Sequence, residues 1–216
     1  MIDSRRSEVL KVFLGITGAS GCVLAIRFAE LLKKLNSSYI VASYTSNALL
    51  VADSECVSRE WFISKLGEYV DELYDENRID ASIASSSNTL DVYTLIPASI
   101  KTLALIVNGI GSNLITRAIL NGLRMKRKVI AIVRESPLGE IELKILYRAA
   151  RAGIIIIPAV IGFYTYPQNL GDIVDFIIGK VFDVLELQHS LYRRWKSAKE
   201  SKTQDPCQIL YGSKDS

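Results

Sequence analysis

The run Val9-Leu10-Lys11-Val12-Phe13-Leu14-Gly15-Ile16 passes directly into Thr17-Gly18-Ala19-Ser20-Gly21 and then into an amphipathic stretch from Cys22 to Leu35. An apolar, β-branched run of this length predicts a buried strand. The stretch after the turn carries Leu24, Phe28, Leu31, Leu32 and Leu35 on one side and Arg27, Glu30 and Lys34 on another, which is helical spacing. The chain is thereby constrained to begin as a strand, a small-residue turn and a helix. Unpaired amides and the helix dipole at such a turn favour an anion. The spacing Gly15, Gly18, Gly21 fits neither the dinucleotide fingerprint nor the P-loop, which needs a Lys after its last Gly. Two readings stay open on the loop alone. One is a site for a phosphate-bearing ligand other than ordinary NAD or ATP; the other is a tight turn whose glycines serve packing only.

The pattern then repeats. Tyr39 to Ser43 predicts a second strand, with Thr45-Ser46-Asn47 as a cap and Ala48 to Val51 as a first helical turn. Residues 55 to 80 yield only a short helix around Trp61, Phe62 and Leu66, followed by a polar loop over residues 84–88. Val92 to Ile96 predicts a third strand stopping at Pro97, and Ser99 caps the helix after it. Asn113 to Met125 is helical, with Leu114, Ile115, Ala118, Ile119 and Leu123 toward the core and Asn113, Arg117, Asn121 and Arg124 on the other face. Val129 to Val133 is a buried strand, Glu140 to Ala152 a helix, Ile154 to Ile157 a fifth strand, and residues 162–169 a Tyr/Pro-rich loop. The last long helix is expected from Leu170 to about Gln188, with Ile173, Ile177, Val181 and Val184 as its apolar stripe.

Strands alternating with helices predict an α/β fold of Rossmann-like (flavodoxin-like) type, a parallel sheet with helices on both faces in three α/β/α layers. Ligands in such folds collect at the carboxyl ends of the strands. The polar candidates fall there in series: Ser20, Ser46, Ser99, then Arg134 with Glu135, then Tyr164.

At 216 residues the chain is expected to form one domain over residues 1–196, with residues 197–216 a polar tail or an arm toward a neighbouring subunit. A net charge of +3 is too small to argue for nucleic acid. Cys22, Cys56 and Cys207 have no metal-ligand spacing and leave one odd, against a disulfide framework or a zinc site. Residues 1–7 lack the apolar core of a signal peptide, and the longest apolar run, broken by Pro158, is too short to span a membrane. The expected location is the cytoplasm.

Two residue groups can carry chemistry. Glu135 beside Arg134 at a strand end can share a site with an anionic ligand and move protons, or can be a surface ion pair. Lys180 lies between Ile177 and Val184, where it either meets an anion or snorkels past the apolar stripe. His189, the only histidine, and the basic run Arg193-Arg194-Trp195-Lys196 read as a helix end and a solvated face.

Five motifs taken together carry a resemblance: Gly15-Ile16-Thr17-Gly18-Ala19-Ser20-Gly21, Pro97-Ala98-Ser99-Ile100-Lys101-Thr102-Leu103, Asn113-Leu114-Ile115-Thr116-Arg117-Ala118, Val133-Arg134-Glu135-Ser136-Pro137-Leu138, and Pro158 through Gly162 to Gln168. In order and spacing the chain, over roughly residues 9 to 195, resembles the UbiX-type flavin prenyltransferases, within the wider Rossmann-like family of homo-oligomeric flavin-containing decarboxylases.

The resemblance implies that Gly18, Ala19, Ser20, Ser46, Ser99, Ile100, Lys101, Thr102 and Arg134 hold FMN. It implies that Tyr164 and Lys180, helped by Arg124 and Arg117, hold the phosphate of dimethylallyl phosphate. Glu135 would transfer the proton, and Ser20 would sit near the reacting flavin nitrogen. The implied reaction prenylates reduced FMN at N5 and C6 without a metal, giving prenylated FMN for a UbiD-type decarboxylase. A homododecamer is implied in the same way. The sequence departs from the family pattern at Arg124, where Lys is usual, and at Lys180, where Arg is usual; Ala98, Ser86 and Leu120 stand for a common Cys, Gly and Asp. Two other readings fit the fold: an FMN-dependent oxidative decarboxylase of a cysteine-derived carboxylate, and a non-catalytic FMN-binding subunit. The first expects a histidine in the flavin pocket, whereas His189 lies near the carboxyl terminus.

Overall fold

The computed structural model describes residues 9–35, 38–55, 58–195 and 206–212. The leading residues 1–7, Cys56 and most of the expected tail fall outside the described residues. The chain divides into two compact units, Met1–Pro158 and Ala159–Ser216, each described by itself.

The first unit is a six-stranded sheet. Its strands are β1 (Leu10–Ile16), β2 (Ser38–Tyr44), β3 (Glu72–Asp75), β4 (Val92–Ala98), β5 (Lys128–Val133) and β6 (Ile154–Pro158). All pairs are parallel and the order is β3-β2-β1-β4-β5-β6. Its helices are α1 (Cys22–Lys34), α2 (Ser46–Ser54), α3 (Arg59–Gly67), α4 (Ile100–Val107), α5 (Leu114–Arg124) and α6 (Glu140–Arg151). Side chains alternate across a strand, so both faces of a two-sided sheet must be apolar. Phe13, Val41, Tyr93 and Val129 share one face by register and pack with Leu103, Ile115, Ala118 and Ile119 of α4 and α5. The alternate residues Val12, Leu14, Ile16 and Ile40 are equally buried on the other face, as are Ala25, Phe28 and Leu32 of α1. The expected layered α/β architecture is what the chain forms.

Two expectations change in this unit. The strand β3 was not anticipated, because its four residues Glu-Leu-Tyr-Asp lie on a sheet edge, half exposed, without apolar alternation. What fixes it is a cross-strand cluster in which the Tyr39 and Tyr74 phenols both donate to Glu72. The third predicted strand does not stop at Pro97 but runs through it to Ala98, which pairs with Val133 beyond a register shift. Proline cannot donate to the ladder, yet its carbonyl accepts, here from the Thr17 N–H at 3.2 Å and hydroxyl at 2.9 Å. The helix after β2 continues from its expected first turn to Ser54.

The second unit contains a 3₁₀ turn at Phe163–Thr165, helix α7 (Leu170–Val184) and a short exposed helix α8 (Pro206–Tyr211). Asn169 caps α7, its side chain accepting from the Asp172 N–H at 3.0 Å. The helix ends at Val184, short of the expected Gln188. Leu185 and Leu187 prolong the apolar spacing, but Glu186 adopts a left-handed conformation and the Leu187 N–H turns back to Phe182 O at 2.9 Å.

Candidate functional site

The order of strands places the topological switch between β1 and β4, and the loops after β1, β2 and β4 meet there. A cleft of about 330 Å³ opens among Gly18, Ser46, Glu76, Ser99, Lys101 and Thr102. Thr17 pins the first wall to the third: besides its two bonds to Pro97 O, its hydroxyl accepts from the Ser99 N–H at 2.7 Å. Ser99 caps α4, accepting from the Thr102 N–H at 3.3 Å and donating to the Thr102 hydroxyl at 3.0 Å. Its first turn, with the Lys101 ammonium, is a cationic wall suited to a phosphate.

Two carboxylates in this region escaped the sequence reading. Glu55 sits at the N-terminus of α1. One of its oxygens accepts from the Gly21 N–H at 2.6 Å, and the other from the Cys22 N–H at 3.2 Å and thiol at 2.8 Å. Burial works to raise the Glu55 carboxyl, but the Cys22 thiol, the Ser20 hydroxyl and the two amides outweigh it and hold the group below its ordinary value. The same contact, after burial, pushes the Cys22 thiol up to about 12. The anion that the first turn asks for is therefore the chain's own, and Ser20 is oriented by it. No local pattern marks Glu55, since it lies 34 residues after Gly21.

Glu76 is the second. It accepts from the Ser46 N–H at 2.8 Å and hydroxyl at 2.5 Å, and from the Asn113 amide at 2.7 Å. Burial raises its carboxyl too, but the Ser46 and Asn113 bonds and the nearby Lys101 charge bring it below its ordinary value. Ser46 thus lines the cleft with both of its donors already engaged.

The other expected residues distribute as follows. Gly18, Ser46, Ser99, Lys101 and Thr102 line the one cleft, whereas Ile100, the first residue of α4, packs against the apolar core and Ala19 is buried. Arg117 and Arg124 lie on a separate cleft of about 350 Å³ with Asp80, Ser85 and Asn121. There the Arg117 Nε and the buried Asn121 amide both donate to Ala84 O, at 3.1 and 2.9 Å, and Arg124 donates to the Asn121 oxygen at 2.7 Å. Arg134 and Glu135 are exposed at the carboxyl end of β5. Tyr164 and Lys180 belong to the second unit, where Tyr164 packs edge-on against Phe176 and Lys180 donates to the Tyr192 hydroxyl at 2.8 Å. Among the described residues, no group of three or more His, Cys, Asp or Glu is placed to hold a metal ion, and no helix is long and apolar enough to cross a membrane.

Comparison with known proteins gives this geometry a family. The Flavoprotein family model matches residues 1–182. The flavin prenyltransferase UbiX of Saccharolobus solfataricus is 38% identical over 199 residues, covering 89% of this chain and 96% of that protein. Its namesake in Methanocaldococcus jannaschii is 33% identical over 186 residues, covering 86% and 98%. Among solved structures, AnUbiX (PadA1) in complex with FMN and dimethylallyl pyrophosphate is similar at a TM-score of 0.81 and 28% identity, over 87% of this chain and 97% of that one. A dodecameric FMN-dependent UbiX-like decarboxylase from Escherichia coli O157:H7 matches with a TM-score of 0.81 and 29% identity, over 87% and 100%. The FMN-dependent cysteine decarboxylase TvaF, at 15% identity and a TM-score of 0.56, shares the fold alone. The chain belongs to the Flavoprotein family and, within it, to the flavin prenyltransferases of the UbiX type.

Proposed function

We propose that this protein is a metal-independent flavin prenyltransferase that takes reduced FMN and dimethylallyl phosphate and delivers prenylated FMN to a UbiD-type decarboxylase. The observation that carries the reading is the cleft at the switch point. Its α4 N-terminus, Lys101 and hydroxyl-lined walls suit a flavin phosphate, in a chain whose relatives are flavin prenyltransferases. When bound, reduced FMN supplies the nucleophilic N5 and C6 that receive the dimethylallyl group as phosphate departs.

The chain's own residues do the rest. Gly18, Ala19 and the Ser99–Thr102 turn hold the flavin, with Arg134 and, through Glu76, Ser46. Ser20 presents its hydroxyl toward the reacting edge, in an orientation fixed by Glu55. Tyr164 and Lys180, with Arg124 and Arg117, hold the phosphate and stabilise the charge that builds on it as it leaves. Glu135 moves the proton. The functional domain is residues 1–196, consistent with a family match that spans residues 1–182. Residues 197–216 serve as an arm in a homo-oligomer, and the location is the cytoplasm.

The test is anaerobic incubation of the purified protein with reduced FMN and dimethylallyl phosphate, followed by mass spectrometry of the released flavin. Prenylated flavin is expected. An unmodified flavin, with the diphosphate donor also tried, overturns the proposal.

A further inference from the structure

The second unit holds an ionic cluster centred on Asp183, one turn beyond Lys180 on α7. Its Oδ1 accepts from His189 Nε2 at 3.0 Å and from Arg194 Nη1 at 2.6 Å. Its Oδ2 accepts from the Tyr192 hydroxyl and lies 3.7 Å from Lys180 Nζ. Lys180 Nζ lies over the Tyr192 and Phe176 rings, 4.6 and 5.2 Å from their centroids. Tyr192 approaches this closely because residue 179 is glycine; a Cβ there would stand 2.6 Å from its ring.

The Leu191 N–H donates to His189 Nδ1 at 3.3 Å, so the ring's other nitrogen, Nε2, is the one that donates to Asp183. Arg194 Nη2, 3.3 Å from that same Nε2, therefore faces a nitrogen that is already a donor and finds no acceptor in it. Two cations share one carboxylate, which leaves a positive surplus. It lies toward solvent, since the Arg194 and Lys180 side chains are 53% and 37% exposed while the His189 ring is 4% exposed. The Tyr164 ring completes the group, packed 5.3 Å from Trp195 and 5.9 Å from Phe176.

We propose that Arg194 is a second cation of the allylic phosphate site, gripping the phosphate beside Lys180 and Tyr164, and that Asp183 positions both cations. The inference rests on the reading of Tyr164 and Lys180 as phosphate-holding residues. A lone ammonium is a point charge, whereas a guanidinium presents two parallel N–H groups to phosphate oxygens. Arg194 supplies to this chain the planar grip that Lys180 does not.

Calorimetric titration of dimethylallyl phosphate into the full-length, FMN-loaded protein, run beside steady-state turnover, tests the assignment. Arg194→Gln is expected to weaken binding and raise KM about tenfold, the size of one charge-assisted hydrogen bond, with FMN affinity within about twofold. Arg194→Lys recovers part of the loss. Asp183→Asn removes a negative charge, so simple attraction would tighten phosphate binding; a positioning role predicts about tenfold weaker binding. Unchanged affinity in Arg194→Gln overturns the Arg194 assignment, and unchanged or tighter binding in Asp183→Asn overturns the role given to Asp183. If the wild type binds dimethylallyl phosphate but forms no prenylated flavin, the prenyltransferase reading fails while Arg194 is still judged by its binding ratio. A wild type that does not bind dimethylallyl phosphate overturns both.

Discussion

Glu55 shows how a single side chain redirects a whole loop. Four donors converge on it, so its carboxylate is worth most when ionised. A carboxyl held below its unfolded value adds stability above that value and loses it as pH falls through the folded one. Glu55→Ala should therefore lower unfolding free energy by about 1–3 kcal/mol at neutral pH, from unpaired amides at the α1 N-terminus. The difference from wild type should shrink as pH falls below the usual carboxylate range, which denaturant titrations across pH would measure. An equal difference at all pH values would remove the charge from the account. Cys22, its thiol pushed up to about 12, should resist alkylation in the native protein while exposed Cys207 reacts, as peptide mapping would show. Glu135→Gln should keep flavin, because Glu135 is not among the residues that line the cleft. That variant should lose most turnover; full activity removes Glu135 from the mechanism.

At the scale of elements, the walls of the cleft are joined by caps as well as by apolar packing. The helix α5 begins with a reciprocal cap, in which Asn113 accepts from the Thr116 N–H at 2.9 Å and Thr116 Oγ1 accepts from the Asn113 N–H at 3.1 Å. The Asn113 amide also donates to Glu76, which holds the N-terminus of α2 through Ser46. Asn113→Ala should then cost about 1–2 kcal/mol as a lost cap. It should also weaken FMN binding, because Glu76 loses a partner and the α2 wall loosens. Fluorescence titration of FMN separates the two effects. A stability loss with unchanged flavin affinity would confine Asn113 to capping.

At the scale of the molecule, the parallel sheet buries both faces in one unit while the described helices of the second unit follow in sequence. The exposed C-terminal residues Ile209, Leu210 and Tyr211, at 43%, 68% and 83%, are apolar area that an arm would bury against another copy. Truncation after residue 205 should shift the protein toward smaller assemblies in analytical ultracentrifugation; an unchanged sedimentation profile would strip the segment of that role.

Much of this was legible in the linear chain. Local periodicity is strong where a strand is buried on both faces, as in Val129–Val133, or where a helix carries one clean stripe, as in α5. Caps such as Ser99 are local as well, since a hydroxyl reaches only its own next turn. That the loops after β1, β2 and β4 meet at a cleft followed from the alternation of strands and helices and the rule of parallel sheets. What the tertiary structure decided was everything that depends on residues far apart in sequence. The edge strand β3 has too few apolar residues to declare itself and is held by tyrosines on Glu72. Glu55 and Glu76 reach loops about thirty residues away, and Asp183 gathers His189, Tyr192 and Arg194 from beyond the end of its own helix. Apolar burial follows a period that the sequence displays. Hydrogen-bonded carboxylates follow only distance in space, which the chain acquires when it folds.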